Sequence, residues 1–267
     1  MKVAIIQLNS QNDKESNLSQ AEKWIEQACE TNKPDLIALP EMFHFMGGTI
    51  EQKKAAAEDI SGKSEAVALL MRLALKYKVF IHSGSICEYF SGKYYNTTCV
   101  INSQGKLIGH YRKINLFKFT TQNDQYDEAS FLTPGDKVVT YQIGTTTIGC
   151  AICFDLRFGN LFQELIKKKV DVIVVPSAFT YETGKAHWEI LCRSRAMETQ
   201  TYLIAPAQTG NHRVNNQTRD CWGHSLAADG WGNIIADLGT DPGFMCVDLD
   251  FDNLKSIRAR LTLLPSI

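Results

Sequence analysis

Short, continuously apolar runs alternate with amphipathic stretches along almost the whole chain, and few folds accommodate that rhythm. Residues 3–8 read as a buried strand, and residues 14–30 as a helix with Leu18, Ala21, Trp24, Ile25 and Ala28 on one face. Residues 36–39 follow as a strand, 64–76 as a helix striped by Val67, Leu70, Met71 and Ala74, then 79–86, 97–101 and 106–111 as strands. The second half repeats the style. Strands are expected over 146–151, 172–175 and 203–207, helices over 158–168 and 187–198, and short strands over 225–228, 233–237 and 245–248. Such alternation implies an α/β fold, because each apolar strand needs covering. Turn signals such as Ser103-Gln104-Gly105 and Asp229-Gly230 separate the elements. No linker-like shift in composition interrupts the 267 residues, so one domain over 1–267 is expected.

Composition narrows the function classes. A net charge of −1 argues against a nucleic-acid surface. Eight cysteines, Cys29, Cys87, Cys99, Cys150, Cys153, Cys192, Cys221 and Cys246, are scattered through apolar segments rather than spaced as a secreted disulfide framework. The first apolar run stops at Gln7, too early for a signal peptide, and no run reaches membrane-spanning length. A cytoplasmic home and no membrane partner are expected.

The segment Gly-Cys-Ala-Ile-Cys-Phe-Asp-Leu-Arg-Phe at 149–158 places Cys153 between a strand and a helix. At such a corner, N–H groups of the starting helix favour a thiolate and can hold an oxyanion. Glu41 ends the apolar run Leu-Ile-Ala-Leu-Pro-Glu at 36–41, and Lys113 ends the strand-like Gly-His-Tyr-Arg-Lys at 109–113. A carboxylate at a buried strand end needs a partner, and Lys113 is the natural one. Arg157, four residues past Cys153, lies within about one helical turn of it and suits a substrate carboxylate, or else an ion pair with Asp155 or Glu164. Cys150 and Cys153 also form a CxxC, but no second CxxC or histidine pair stands at zinc spacing, so neither metal nor cofactor is expected. His187 reads as a residue that caps or packs its helix, Arg112 as structural, and Arg193, Arg195 and Glu198 as an ion network.

These three segments, in this order, resemble the nitrilase, or carbon–nitrogen hydrolase, superfamily, and the resemblance runs from Val3 to about Leu264. It implies a four-layer α-β-β-α sandwich. It implies Cys153 as nucleophile, Glu41 as general base and Lys113 as oxyanion stabiliser together with the Phe154 N–H. Glu128, six residues before Pro134, matches a second family glutamate that supports the lysine, although Asp124 and Asp127 are equally acidic neighbours. Phe179, in Pro-Ser-Ala-Phe at 176–179, would line the pocket. The chain departs from the common pattern at Phe154, Gly159-Asn160 and Gly230, none of which removes a candidate catalytic group.

The stretch Ala-Pro-Ala-Gln-Thr-Gly-Asn-His at 205–212, then Arg219 and Gly-His-Ser at 223–225, looks most like the Nit-type amidases. That likeness implies a small-molecule amide substrate: the ω-amide of an α-keto dicarboxylate monoamide, or deaminated glutathione. N-carbamoyl amide hydrolysis, nitrile hydrolysis and a catalytically silent interaction module are the alternatives. The family also implies a homodimer or larger assembly, with the helices beginning near Phe158 and His187 as contact candidates.

Overall fold

The computed structural model describes residues 1–61, 63–120, 125–214 and 217–263. The first half runs β1 (Lys2–Gln7), α1 (Lys14–Asn32), β2 (Leu36–Ala38), α2 (Ile50–Ala55), α3 (Glu65–Tyr77), β3 (Phe80–His82), β4 (Ile86–Phe90), β5 (Lys93–Ile101), β6 (Leu107–Arg112), β7 (Lys118–Thr120) and β8 (Gln125–Asp127). The second runs β9 (Thr140–Ile143), β10 (Thr146–Cys150), α4 (Gly159–Lys167), β11 (Val172–Val174), α5 (Tyr181–Thr199), β12 (Tyr202–Ala205), β13 (Thr209–Val214), β14 (Gln217–Trp222), β15 (Leu226–Ala228), β16 (Ile234–Asp237), β17 (Gly243–Asp248) and α6 (Phe251–Arg260).

Two sheets form the centre. One has the order β17-β1-β2-β3-β5-β4, with β6 also on β5; the other has the order β16-β15-β12-β11-β10-β9. Strand periodicity builds the layers. Along β1, Val3 and Ile5 face the other sheet, while Ala4 and Ile6 face the helical layer, where Ala21 and Ile25 of α1 meet Leu70 and Leu73 of α3. On the far side, Leu161 and Leu165 of α4 and Trp188 and Cys192 of α5 cover the second sheet. The result is the four-layer α-β-β-α sandwich. The two ends of the sequence meet in one sheet, because β17 pairs antiparallel with β1 from Lys2↔Asp248 to Gln7↔Gly243.

Two expectations need correction. Residues 79–86 do not form one strand. The chain breaks after His82, because Gly84 adopts φ +69° and passes so near the preceding segment that a Cβ there would lie 1.9 Å from the Pro40 carbonyl oxygen. The helix expected from 187 begins at Tyr181, capped by Thr180. Gly184 obscured that start; it is needed inside the helix because a Cβ would strike the Trp222 side chain at 2.2 Å. The strand expected at 245–248 is β17, and it joins the first sheet. Asp124 and Leu264 lie outside the described residues.

Candidate active site

The site sits where the carboxyl ends of β2 and β10 and the end of β6 converge. After β2, Pro40 and Glu41 begin a turn that continues through Met42, whose φ is +52°. The turn is fixed from the β3–β4 connection: Met42 N–H donates to Ser85 Oγ at 3.0 Å, and Ser85 N–H donates to Pro40 O at 3.3 Å. The tight passage at Gly84 allows this contact. Gln208 supports the same turn from the second sheet, its Nε2 donating to the Glu41 carbonyl at 2.9 Å. Glu41 is thereby held 3% exposed.

Lys113 follows β6 directly. Its N–H donates to Asn96 O at 2.8 Å, and its own carbonyl accepts from Gly135. Its Nζ donates at 2.9 Å to Glu41 Oε1 and at 2.9 Å to Glu128 Oε2. Glu128 opens a 3₁₀ turn, and its Oε2 also accepts from the Phe117 N–H at 2.7 Å. Asn96 Nδ2 completes the shell around Glu41 Oε1 at 2.8 Å. Burial opposes a charge on Lys113, but Glu128 and then Glu41 hold its pKa well above the ordinary lysine value. Burial pushes Glu128 up, against the pull of Lys113. Asp127 takes no part in this cluster; it binds Lys118 at the surface.

Cys153 occupies the corner after β10, with φ +47°, a left-handed conformation that costs a non-glycine residue energy and needs surrounding support. The corner is pinned by its own N–H donating to Pro176 O at 2.9 Å. It is also pinned by the buried Asp155 carboxylate, which accepts from Ile152 N–H at 2.9 Å, Tyr111 Oη at 2.7 Å and Asn115 Nδ2 at 2.8 Å. Tyr111 lies on β6 and Asn115 just past it, so Asp155 ties the cysteine corner to the strand that carries Lys113. The first residues of the short 3₁₀ turn Cys153–Arg157 have no acceptor within it for their N–H groups, the kind of donor that can hold an oxyanion. Burial, then the Glu41 charge, push the Cys153 thiol well above its ordinary value. That direction runs against the thiolate that a corner position favours.

Glu41, Lys113, Glu128, Cys153, Phe154, Arg157 and Phe179 all line one cavity of about 120 Å³. Cys150 instead packs in the hydrophobic core between strands. Arg157 pairs with neither expected carboxylate. Asp155 is consumed at the corner, and Glu164 binds Lys167 at 2.6 Å. Arg157 Nη2 meets His187 Nδ1 at 3.2 Å, and its guanidinium stands 5.9 Å from the Phe154 ring centre and 5.5 Å from that of Phe179. His187 thus neither caps nor packs α5; it is exposed and props Arg157. Arg193 and Arg195 bind Glu189 and Glu198 and donate to the carbonyls of Gly232 and Leu156.

Other residues of the site are not marked by the sequence as functional. Asn96 is a buried polar group in β5, while Asp155 and Gln208 lie inside the segments 149–158 and 205–212 that carry the resemblance and are likewise buried. Lys53, Tyr126, His212 and Arg219 also line the cavity. Lys53 arrives there on α2, whose first turn is closed by a capping box of Thr49 and Gln52. α2 is set against the β13–β14 hairpin by Gly48 N–H donating to Arg213 O at 2.8 Å.

The carbon–nitrogen hydrolase family model matches residues 2–259. The chain belongs to that family. The nitrilase and fragile histidine triad fusion protein NitFhit of Drosophila melanogaster is 39% identical to it over 92% of the chain and 53% of that protein, so the chain spans about half the length of this relative. The omega-amidase NIT2 of Homo sapiens is 33% identical over 97% of the chain and 92% of that protein. Among solved structures, Nit3 of Saccharomyces cerevisiae, a member of branch 10 of the nitrilase superfamily, superimposes with a TM-score of 0.89 at 32% identity, covering 100% of this chain and 96% of that one. The sandwich and its layer order are those of this nitrilase-fold neighbour.

Proposed function

We propose that this carbon–nitrogen hydrolase cleaves a linear carboxamide through a thioester on Cys153. The observation that carries the reading is the single cavity in which the buried Glu41–Lys113–Glu128 cluster faces the Cys153 thiol. Glu41 takes the thiol proton as Sγ attacks the carboxamide carbon. The oxyanion that forms is met by Lys113 Nζ and the Phe154 N–H. Glu41 passes the proton to the departing nitrogen, the C–N bond breaks and ammonia leaves. Glu41 then deprotonates a water that attacks the thioester, and the proton returns to the cysteine sulfur as the acid is released. Glu128 holds Lys113 in place throughout.

The substrate reading is the ω-amide of an α-keto dicarboxylate monoamide, with deaminated glutathione, an N-substituted amide of the same type, as its near alternative. The human relative's name and Arg157, which has no carboxylate partner among the described residues, support an acidic acyl half held by that guanidinium. Phe154 and Phe179 form the apolar wall beside it. We further propose residues 1–267 as one domain, since the family match is continuous and β17 closes on β1. A homo-oligomer packed through α4 and α5 fits the exposed Ile190 and Met197 of α5. A reducing cytoplasm fits eight free cysteines. No helix among the described residues is long and apolar enough to cross a membrane.

The test is ammonia release from α-ketoglutaramate beside an N-carbamoyl amide and an aliphatic nitrile. The ω-amide is expected to be turned over well above the other two. Preference for the carbamoyl amide would replace the substrate reading, and no release from any of them would favour the silent module.

A further inference from the structure

Three thiols line the cavity, those of Cys87, Cys153 and Cys221, and the proposed reaction uses only Cys153. Cys150, the nearest cysteine to it in sequence, is not among them, because it packs with apolar side chains between the sheets. The two spare thiols have different surroundings. Burial raises both. After burial, the charges that act on Cys87 are Lys53 and Glu88. The charge that acts on Cys221 is Glu41, the carboxylate that also hydrogen-bonds the Cys153 thiol.

One short segment joins Cys221 to Cys153. At its start, Pro176 O accepts the Cys153 N–H at 2.9 Å. Two residues on, the Ala178 N–H donates to the Cys153 sulfur and favours its thiolate. Phe179 O then accepts the Trp222 N–H at 3.0 Å, and Thr180 stands directly opposite Cys221 in an antiparallel bridge. Ala178 and Thr180 line the same cavity as the two cysteines. Both thiols are held in place: Asp155 pins the corner of Cys153, and β14 is paired to β13 along its length.

We infer that Cys221 is a resolving thiol for Cys153, converting a Cys153 oxidised by a hydroperoxide into a Cys153–Cys221 disulfide that a thiol reductant reverses. The inference rests on the proposed role of Cys153 as nucleophile. Glu41 serves as base, as it does toward the amide. It takes the Cys153 thiol proton, the sulfur attacks the terminal peroxide oxygen, the O–O bond breaks, and the departing oxygen leaves with that proton as an alcohol or water. Cys153 is then a sulfenic acid. The Cys221 sulfur attacks the Cys153 sulfur, the S–O bond breaks, and hydroxide leaves with the Cys221 proton as water. Across both steps the two thiols lose two electrons and two protons, and the peroxide takes them up. Without a second thiol, further peroxide carries the sulfenic acid to a sulfinic acid, which thiols do not reduce. The disulfide stops the oxidation before that point, and hydrolysis halts until it is reduced.

The test treats substrate-free protein with excess hydrogen peroxide and then dithiothreitol. It reads ammonia release from α-ketoglutaramate, with non-reducing peptide mapping at each stage. Wild-type protein should lose activity, show a disulfide joining the Cys153 and Cys221 peptides, and recover most of its activity on reduction. Cys221→Ser and Cys221→Ala should start within about 3-fold of wild type in kcat/KM. After peroxide they should form no such disulfide, accumulate sulfinic acid at Cys153 and recover about 10-fold less activity than wild type. Cys87→Ser should behave as wild type. Melting temperatures check that the variants are folded. Resistance of the wild type to peroxide, irreversible loss in the wild type, a disulfide from Cys153 to Cys87, or equal recovery in wild type and the Cys221 variants would each overturn the pair. Absence of ammonia release from the untreated protein would instead overturn the proposed function, and the mapping would still read the disulfide.

Discussion

Arg112 and Lys113 are neighbours at the end of one strand, and each meets a buried glutamate, yet they build different things. Arg112 forms a two-pronged contact with Glu88, Nη2 to Oε1 at 2.6 Å and Nε to Oε2 at 2.8 Å. Its plane lies 3.8 Å from the Tyr95 ring centre, and Thr97 Oγ1 donates to the same carboxylate. None of these groups lines the cavity, and little hydrogen-bonding capacity is left over. Strand alternation turns Lys113 the other way. There two carboxylates share one ammonium, and the cluster opens on a space that also holds a thiol and a strained backbone corner. Burial and ion pairing are common to both clusters. What separates a site from a strut is unspent valence facing a cavity.

Lys113→Met and Arg112→Met break the two clusters separately. Lys113→Met should lower kcat/KM by about 10²- to 10³-fold, the usual loss for one oxyanion donor. Arg112→Met leaves Glu88 buried without its cation, which costs about 3–5 kcal/mol and lowers the melting temperature by roughly 10 °C. At a temperature where it stays folded, its kcat/KM should remain within about 3-fold of wild type. Activity and thermal melting measured on both variants would contradict the distinction if the two losses were interchanged.

Glu128→Gln sharpens the comparison within the site. It keeps the shape but removes one of the two charges on Lys113. A loss in kcat of about 10-fold or more is expected, with KM changing little, if Glu128 acts by holding the lysine. A rise in KM alone would move Glu128 to substrate binding.

A smaller effect concerns pH. His44 and His82 are fully buried with no hydrogen-bond partner on either ring nitrogen, and burial lowers them to about 4 and about 3. Their folded values lie below the unfolded 6.5, so the unfolded chain binds protons first as pH falls. Stability should therefore be full above about pH 6.5 and fall toward pH 4, with the two histidines together losing about 4 kcal/mol between about pH 7 and pH 5. His82→Phe should flatten the profile by about half. A wild-type melting temperature constant over this range would refute the assignment.

Much of the fold was legible because it rests on local patterns. The runs at β2, β11 and residues 3–6 of β1 are continuously apolar, as expected of strands covered on both faces. The β13–β14 hairpin carries Arg219 and Asp220 among polar neighbours and has no such pattern; its shape comes from pairing, which composition does not record. Gly184 hid the first turn of α5 because its reason is Trp222, 38 positions away in the chain. The same holds in the site. Glu41, Lys113 and Cys153 sit at strand ends and announce themselves. Asn96 and Asp155 meet partners distant in sequence, and three-dimensional placement distinguishes them from ordinary polar residues.

The central claim is that Cys153 carries the acyl group. Wild-type protein quenched in acid during turnover of a slow ω-amide should show, by intact mass and peptide mapping, a thioester on Cys153 that hydroxylamine removes. Cys153→Ala should show no adduct and lose activity by about 10⁴-fold or more, with an unchanged melting temperature. Turnover without an adduct at this cysteine, or substantial activity in the alanine variant, would contradict the account.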